Sequence, residues 1–141
     1  TASANGGLYA RLEEVYIPYG IEELSSTFYN CTNLKTIHGD LTSILSLNHT
    51  FYSCISLTEF PYMPNLDYIG ANAFKGCTGL TKASLYNKPS TFTATAFSGC
   101  TNLLDIYVPW SEGEVAYAPW GATNATIHYN TVYDENHEPI V

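Results

Sequence analysis

The sequence predicts an α/β solenoid of about five stacked coils of 23 residues, each with a short strand and a helical turn. Three observations lead to this prediction. The four cysteines are spaced 23 residues apart, a phenylalanine lies three residues before each of them, and a leucine lies three residues after each. Three residue types that keep one phase through four copies define an internal repeat. The repeated positions are Phe28, Cys31, Leu34, Phe51, Cys54, Leu57, Phe74, Cys77, Leu80, Phe97, Cys100 and Leu103.

The first element of each coil is a strand. Leu12 is followed by Val15 and Ile17 on alternate positions, and the segments after the repeated leucines show related patterns. Alternation of apolar and polar residues over five or six positions is typical of a half-buried strand. Because equivalent strands of stacked coils lie side by side, they should form a parallel ladder with a spacing of ~4.8 Å.

A turn, a second extended segment and a helical turn complete each coil. Turn residues such as Pro18 and Gly20 follow the strand, and a second pair of apolar residues, such as Ile21 and Leu24, comes next. The phenylalanine and cysteine then lie three residues apart, a spacing that places both on one face of a helical turn. We therefore expect both side chains in a core that is continuous from coil to coil.

The pattern divides the chain into an N-terminal lead-in (1–11), the repeats (12–108), and a C-terminal cap and tail (109–141). Trp120 falls on the next phenylalanine position and is expected to extend the core ladder. Residues 125–130 are predicted to form a last strand, and residues 134–139 a frayed polar tail. The chain begins without methionine or a recognisable leader, so we expect a processed chain or part of a longer protein or assembly.

Two segments resemble a known family. Residues 12–18 read Leu-Glu-Glu-Val-Tyr-Ile-Pro, and residues 69–80 read Ile-Gly-Ala-Asn-Ala-Phe-Lys-Gly-Cys-Thr-Gly-Leu. Both are similar to the BspA-type (treponemal) leucine-rich repeat. The resemblance implies a right-handed coil and a non-enzymatic protein of a bacterial or protozoan surface that binds host proteins, other microbes or glycans. Residues 108–110 and 118–123 also resemble closing segments of such proteins from gut bacteria and their phages.

The even spacing of the cysteines bears on their chemistry. Zinc sites favour cysteine pairs two to four residues apart, so a metal site is not expected. Stacked cysteines would lie ~5 Å apart, within the Cα distance that disulfides allow, but their parallel side chains would close a bridge poorly. We expect four reduced, buried thiols, which should all be titratable after denaturation.

Composition and motifs disfavour several functions. The net charge of −8 argues against binding to nucleic acid, and no apolar run is long enough to predict membrane insertion. No nucleophile elbow, phosphate-binding glycine loop or paired histidine motif occurs, so we predict no enzyme activity and no cofactor. The Asn-x-Thr sequons at Asn30, Asn48 and Asn124 are not expected to carry glycan, and Asn30 and Asn48 lie beside the predicted helical turn, where asparagine is favoured.

The outward positions of the strands form the candidate binding surface. Tyrosine supplies a large contact area and a hydrogen-bonding tip, which suits recognition of protein or glycan. The leading hypothesis is a non-catalytic binding module of a bacterial surface or secreted protein that contacts a host protein or glycan receptor. The alternative is a structural or receptor-binding module of a phage tail appendage on the virion. The predicted contact residues are Glu14, Tyr16, Thr36, His38, Glu59, Lys82, Ser84, Asp105, Tyr107 and His128.

Overall fold

The computed structural model describes residues 11–141 as a solenoid of about five stacked turns. The predicted lead-in therefore lies outside the described residues, apart from Arg11. Within the described range the chain forms short strands of two or three residues. In chain order they are β1 (Glu14–Tyr16), β2 (Glu23–Ser25), β3 (Thr36–His38), β4 (Ser46–Asn48), β5 (Tyr68–Ile69), β6 (Lys82–Ser84), β7 (Thr91–Phe92), β8 (Asp105–Tyr107), β9 (Thr126–His128), β10 (Val132–Tyr133) and β11 (Pro139–Ile140).

Two parallel ladders run along the stack. The first ladder contains the strands that follow the repeated leucines, and it consists of two separate sheets, β1-β3 and β6-β8-β9. The second ladder is the four-stranded sheet β2-β4-β5-β7, formed by the second extended segments. Equivalent residues are paired in register, as in Val15 with Ile37 and Leu24 with Leu47. Side chains at these central positions point inward, so the core lies between the two ladders.

The strands are shorter than the five or six residues that we predicted, and the third strand of the first ladder is missing. No backbone hydrogen bond within the described chain joins residues 58–62 to β3 or β6. Two residues account for the interruption. Pro61 has no N–H to donate to a neighbouring strand. The ring of Phe60 lies against Phe74 and Phe97 at centroid distances of 4.9 and 6.2 Å, where the other coils place smaller aliphatic side chains.

The predicted helical turns are single three-residue turns rather than α-helix. In each repeat the cysteine N–H donates to the phenylalanine carbonyl, as from Cys77 to Phe74 at 3.1 Å, and the leucine N–H donates to the cysteine carbonyl, as from Leu80 to Cys77 at 3.2 Å. Side chains three residues apart then lie almost above one another. A left-handed residue before each cysteine prevents the turn from continuing as a helix. These residues are Asn30, Ser53, Gly76 and Gly99.

The repeated side chains form columns inside the stack. The rings of Phe28, Phe51, Phe74 and Phe97 stack at centroid distances of 5.6, 5.1 and 5.4 Å. The four cysteines are free and buried, and each thiol from Cys54 onward donates to the phenylalanine carbonyl of the previous coil, at 3.2, 3.1 and 3.0 Å. The structure therefore joins neighbouring coils through S–H···O contacts.

The C-terminal region extends the stack by one more strand. β9 pairs in register with β8, from Asp105–Thr126 to Tyr107–His128. Trp120 is fully buried, its carbonyl accepts the Phe97 N–H at 2.8 Å, and its ring stacks on Phe92 at 4.1 Å. The indole thus covers the end of the core. It lies beside Phe92 of the second ladder rather than above the stacked phenylalanine rings.

The polar tail is ordered, contrary to our expectation of a frayed segment. β10 and β11 form an antiparallel hairpin, and the carboxylate of Asp134 accepts the N–H groups of Asn136 at 2.8 Å and Glu138 at 3.0 Å in the loop between them. Such an Asp-centred turn is a local interaction that fixes the loop. The hairpin packs back against the first ladder, as described below.

Candidate functional site

The outward positions of the first ladder form two columns, which together make up the sheet face. The register of the strands sets these columns, because alternate residues of a strand point to the same side. The first column contains Glu14, Thr36, Lys82, Asp105 and Thr126, and the second contains Tyr16, His38, Ser84, Tyr107 and His128. Glu59, also a predicted contact residue, lies in the unpaired segment 58–62 instead. The predicted contact residues therefore occupy two groups separated by an interruption.

At the N-terminal end, three side chains form a compact cluster. The Nε2 atom of His38 lies 3.2 Å from Oε2 of Glu14, and its ring stacks on Tyr16 at a centroid distance of 4.5 Å. Tyr16 is 78% exposed, so one face of its ring and its hydroxyl are open to solvent. The histidine is held on two sides and in turn holds the tyrosine ring in one orientation.

The C-terminal end carries the same arrangement. The Nε2 atom of His128 lies 2.8 Å from Oδ1 of Asp105, and its ring stacks on Tyr107 at 4.5 Å. In both clusters an acidic residue and a tyrosine two positions later lie on one strand, and the partner strand reads Thr-Ile-His. We call these the Glu14 cluster and the Asp105 cluster.

The sequence predicted the members of both clusters as single contact residues but did not pair them. The signal that could have paired them is an acid-x-Tyr strand followed one coil later by Thr-Ile-His, which occurs twice. Once the repeat length is known, adjacent strands put the acid, the tyrosine and the histidine side by side.

The hairpin covers part of the sheet face near the Asp105 cluster. The hydroxyl of Tyr133 donates to the carbonyls of Leu85 at 2.7 Å and Tyr107 at 3.2 Å, at the carboxyl ends of β6 and β8. Burial raises the pKa of the Tyr133 phenol well above its usual range. Lys82 lies 3.4 Å from Glu138 of the hairpin in an exposed ion pair. The Glu14 cluster has no such cover within the described residues.

Four aromatic side chains that the sequence did not assign to the site hold the hairpin in place. His137 stacks on Tyr62 at 4.0 Å, and Tyr86 packs against Tyr133 at 4.4 Å and donates its hydroxyl proton to the carbonyl of His137 at 2.9 Å. The hairpin therefore bridges the interrupted third coil and the fourth coil. No repeat marks these contacts in the sequence, because they join segments up to 75 positions apart (Tyr62 to His137).

A cleft opens where the third strand is missing. It has a volume of about 680 Å³ and lies between β3 and the unpaired segment, lined by residues 35–37 and 56–62. Lys35 and Glu59 stand at its rim. A smaller space of about 150 Å³ lies on the other side of the segment, beside the hairpin.

Among residues 11–141, no group of three or more His, Cys, Asp or Glu side chains could hold a metal ion. No helix among the described residues is long and apolar enough to cross a membrane. The sheet face carries rings, carboxylates and hydroxyls, whose chemistry suits binding, and the hairpin covers part of it.

Comparison with known proteins agrees with the repeat pattern and the fold described above. The sequence profile of the BspA type leucine rich repeat region matches residues 8–117 in six copies. A leucine rich repeat protein of T. pallidum has a similar structure, with 22% sequence identity and a TM-score of 0.65 over 84% of this chain and 56% of that one. A leucine-rich repeat protein from Bacteroides ovatus matches at 23% identity and a TM-score of 0.45, over 68% of this chain and 31% of that one. No curated protein matches the sequence.

Proposed function

This chain belongs to the BspA-type leucine-rich repeat family, and from this premise we propose that it is a non-catalytic binding module of a bacterial surface or secreted protein. Leucine-rich repeats generally bind proteins, and those of this family are typically not enzymes. The chain spans just over half of the T. pallidum protein's length. The proposed module contacts a host receptor through the sheet face.

The repeated cluster is the observation that supports this proposal most directly. Two acid–tyrosine–histidine clusters stand on the same face, and each presents a tyrosine whose ring is fixed by stacking. A tyrosine ring that is already stacked on a neighbouring ring has less conformational freedom to lose when it binds a partner. Because four coil steps separate Tyr16 from Tyr107, the two rings are ~20 Å apart at the strand spacing, a span that a protein partner can cover.

The partner class follows from the same surface. The face is mixed in character, with carboxylates beside rings and hydroxyls, and the chain is acidic overall. A protein partner with a basic surface is complementary to it. Glycan recognition by the exposed Tyr16 ring is the competing outcome, and the experiment separates the two.

The test is a pair of arrays, one of host extracellular proteins and one of glycans, followed by variants against the strongest ligand. Replacing Tyr16→Ala together with Tyr107→Ala should weaken binding by at least tenfold, because tyrosines that are hot spots of an interface contribute about 2 kcal/mol or more each. The matched control replaces Tyr19→Ala and Tyr117→Ala, which are 72% and 69% exposed but lie outside the strands of the sheet face. The control should bind normally.

Undiminished binding by the Tyr16 and Tyr107 double variant would disprove the assignment of the sheet face. If both double variants lost the same binding affinity, tyrosines would contribute wherever they lie on the surface. This result would also disprove the assignment of the sheet face. Thermal unfolding of each variant checks that Tyr107, which is half-buried, can be replaced without loss of the fold.

A further inference from the structure

We propose that the cleft beside β3 is a second binding site, which takes an extended basic peptide as an additional strand of the first ladder. The site adjoins the sheet face and includes two of the predicted contact residues, Thr36 and Glu59, but the peptide would bind mainly through the backbone edge of β3. Three features support it: the unpaired backbone of Ile37, the shape of the cleft and the charge around it.

The backbone of β3 is paired on one side only. The Thr36 N–H donates to the Glu13 carbonyl at 3.2 Å, and the His38 carbonyl accepts the Ile17 N–H at 3.0 Å. In a parallel sheet, alternate residues direct their N–H and C=O groups to opposite neighbours. Both groups of Ile37 therefore point toward the third coil, where no backbone group within the described chain pairs with them.

The third coil leaves room at this edge. Phe60 leans away from β3 onto Phe74 and Phe97, and the resulting cleft of about 680 Å³ is lined by residues 35–37 on one side and 56–62 on the other. Pockets that bind ligands have volumes of about 300–1,000 Å³. An unpaired strand edge at the wall of such a cleft is the arrangement that binds a peptide by strand addition, with main-chain hydrogen bonds for affinity.

Charge indicates which peptides fit. Across residues 11–62 the acids are Glu13, Glu14, Glu22, Glu23, Asp40 and Glu59, and the bases are Arg11 and Lys35. Lys35 is already engaged with Glu13 at 3.3 Å, and Glu59 at the rim has no ion-pair partner among the described residues. A peptide with basic side chains is thus favoured over an acidic one. Its apolar side chains would face Ile37 and Phe60, which line the cleft and are only half-buried.

The probe is a capped seven-residue peptide of alternating lysine and valine, titrated into the folded protein. Amide hydrogen exchange should show new protection at Ile37, while Thr36, whose N–H is already bonded, changes little. A matched peptide that is N-methylated at every residue keeps the charge and the side chains but has no backbone N–H to donate to the Ile37 carbonyl. It should bind at least tenfold more weakly than the lysine–valine peptide. A peptide of alternating glutamate and valine should be weaker by at least the same factor.

Two protein variants test the cleft. One places a large side chain in the cleft, and the control makes the same substitution at the equivalent position of the next coil. Thr58→Trp places a large side chain in the lining of the cleft and should weaken the lysine–valine peptide at least tenfold. Thr81→Trp makes the same change at the equivalent exposed position one coil later, outside the cleft, and should bind normally. If Thr58→Trp does not fold, the N-methylated peptide still tests the proposal.

The proposal would be overturned by equal binding of the N-methylated peptide, by binding without protection of Ile37, or by no effect of a folded Thr58→Trp variant. A concentration-dependent dimer that Thr58→Trp abolishes would also overturn it, since the edge would then pair with a second copy of the chain. The titration uses none of the tyrosine variants, so its failure would leave the sheet-face proposal standing.

Discussion

At the scale of single residues, the cysteines connect each coil to the one before it. Cys54 donates its thiol proton to the Phe28 carbonyl at 3.2 Å and is completely buried. Burial raises the pKa of this thiol from 9.0 to about 12. A small, weakly polar side chain suits the position, because it fills the space beside the phenylalanine column and supplies one donor to a carbonyl in the core.

The raised pKa predicts a loss of stability in alkali. A thiol that ionises near 9.0 when unfolded and near 12 when folded holds its proton more tightly in the folded state. Its contribution is complete below pH 9 and is lost as the pH rises toward 12. We expect the free energy of unfolding, measured with urea from about pH 8 to about pH 11, to fall more steeply for the unaltered protein than for Cys54→Ala. Parallel curves would contradict the prediction.

The residue before each cysteine must adopt a left-handed conformation. The repeat places glycine there twice, at Gly76 and Gly99, but serine at Ser53, which has φ of 60°. A non-glycine residue in this region carries a steric cost of about 1–2 kcal/mol. Because other repeats have glycine at this position, serine at position 53 makes the folded protein less stable than glycine would.

Replacing Ser53→Gly should stabilise the protein by about 0.5–1 kcal/mol, because the relief of strain exceeds the added freedom of the unfolded chain. Ser46→Gly is the matched control. Ser46 lies in β4 with ordinary strand geometry, so glycine there should destabilise by about 0.5–1 kcal/mol. Urea denaturation of both variants measures the difference. The same sign of change at both positions would contradict the explanation.

At the scale of elements, the repeat predicted correctly the turns that recur in every coil. It predicted a third strand wrongly, because single residues of that coil depart from the repeat. The turns around Cys31, Cys54, Cys77 and Cys100 follow from spacing alone, because apolar residues three apart need a tight turn to share one side. The third strand does not form because Phe60 is too large for a column of aliphatic residues and Pro61 cannot donate. Pro61 could be recognised in the sequence, but the direction in which Phe60 leans depends on packing in other coils.

The hairpin was missed for a different reason. Its local signal exists, since two short apolar pairs flank a polar loop that begins with Asp134. Its placement depends on contacts with Tyr86, Leu85 and Tyr107, which belong to distant coils. A repeat pattern contains no information about an element that occurs once, so the sequence could not show that the hairpin covers part of the candidate face.

Removing one hydroxyl should loosen the hairpin. Tyr133→Phe deletes the donor to the Leu85 and Tyr107 carbonyls and should destabilise the hairpin by about 1 kcal/mol, the usual net value of such a hydrogen bond. Hydrogen exchange at Asp134, whose N–H donates to Glu138 at 2.9 Å, should accelerate about fivefold. Tyr19→Phe, an exposed change in a turn, is the control. Unchanged exchange in Tyr133→Phe would show that aromatic packing alone holds the hairpin.

At the scale of the whole molecule, the stack behaves as a row of units that contact their neighbours, and the C-terminal hairpin adds contacts with the third and fourth coils. Stability is then close to a sum of terms for each coil and each interface. The interrupted third coil is the exception, since it contributes Phe60 and Phe74 to the core but no strand to the first ladder. The missing strand of the third coil also opens the cleft. One irregular coil therefore divides the sheet face and leaves the edge of β3 unpaired.

The independence of the coils predicts that the third coil can be removed as a unit. Deleting residues 58–80 joins Leu57 to Thr81 and keeps every repeated position in phase, so that β3 meets β6 directly and the first ladder becomes continuous. We expect a folded protein with cooperative thermal unfolding, in which the Ile37 amide is protected from exchange because it now faces a paired strand. Deleting only residues 58–68 puts the repeated residues of later coils out of phase with those before them, and this control should not fold. An unfolded product from the in-phase deletion, or an Ile37 amide that still exchanges freely, would show that the coils are not interchangeable units and that the irregular coil is required for the stack.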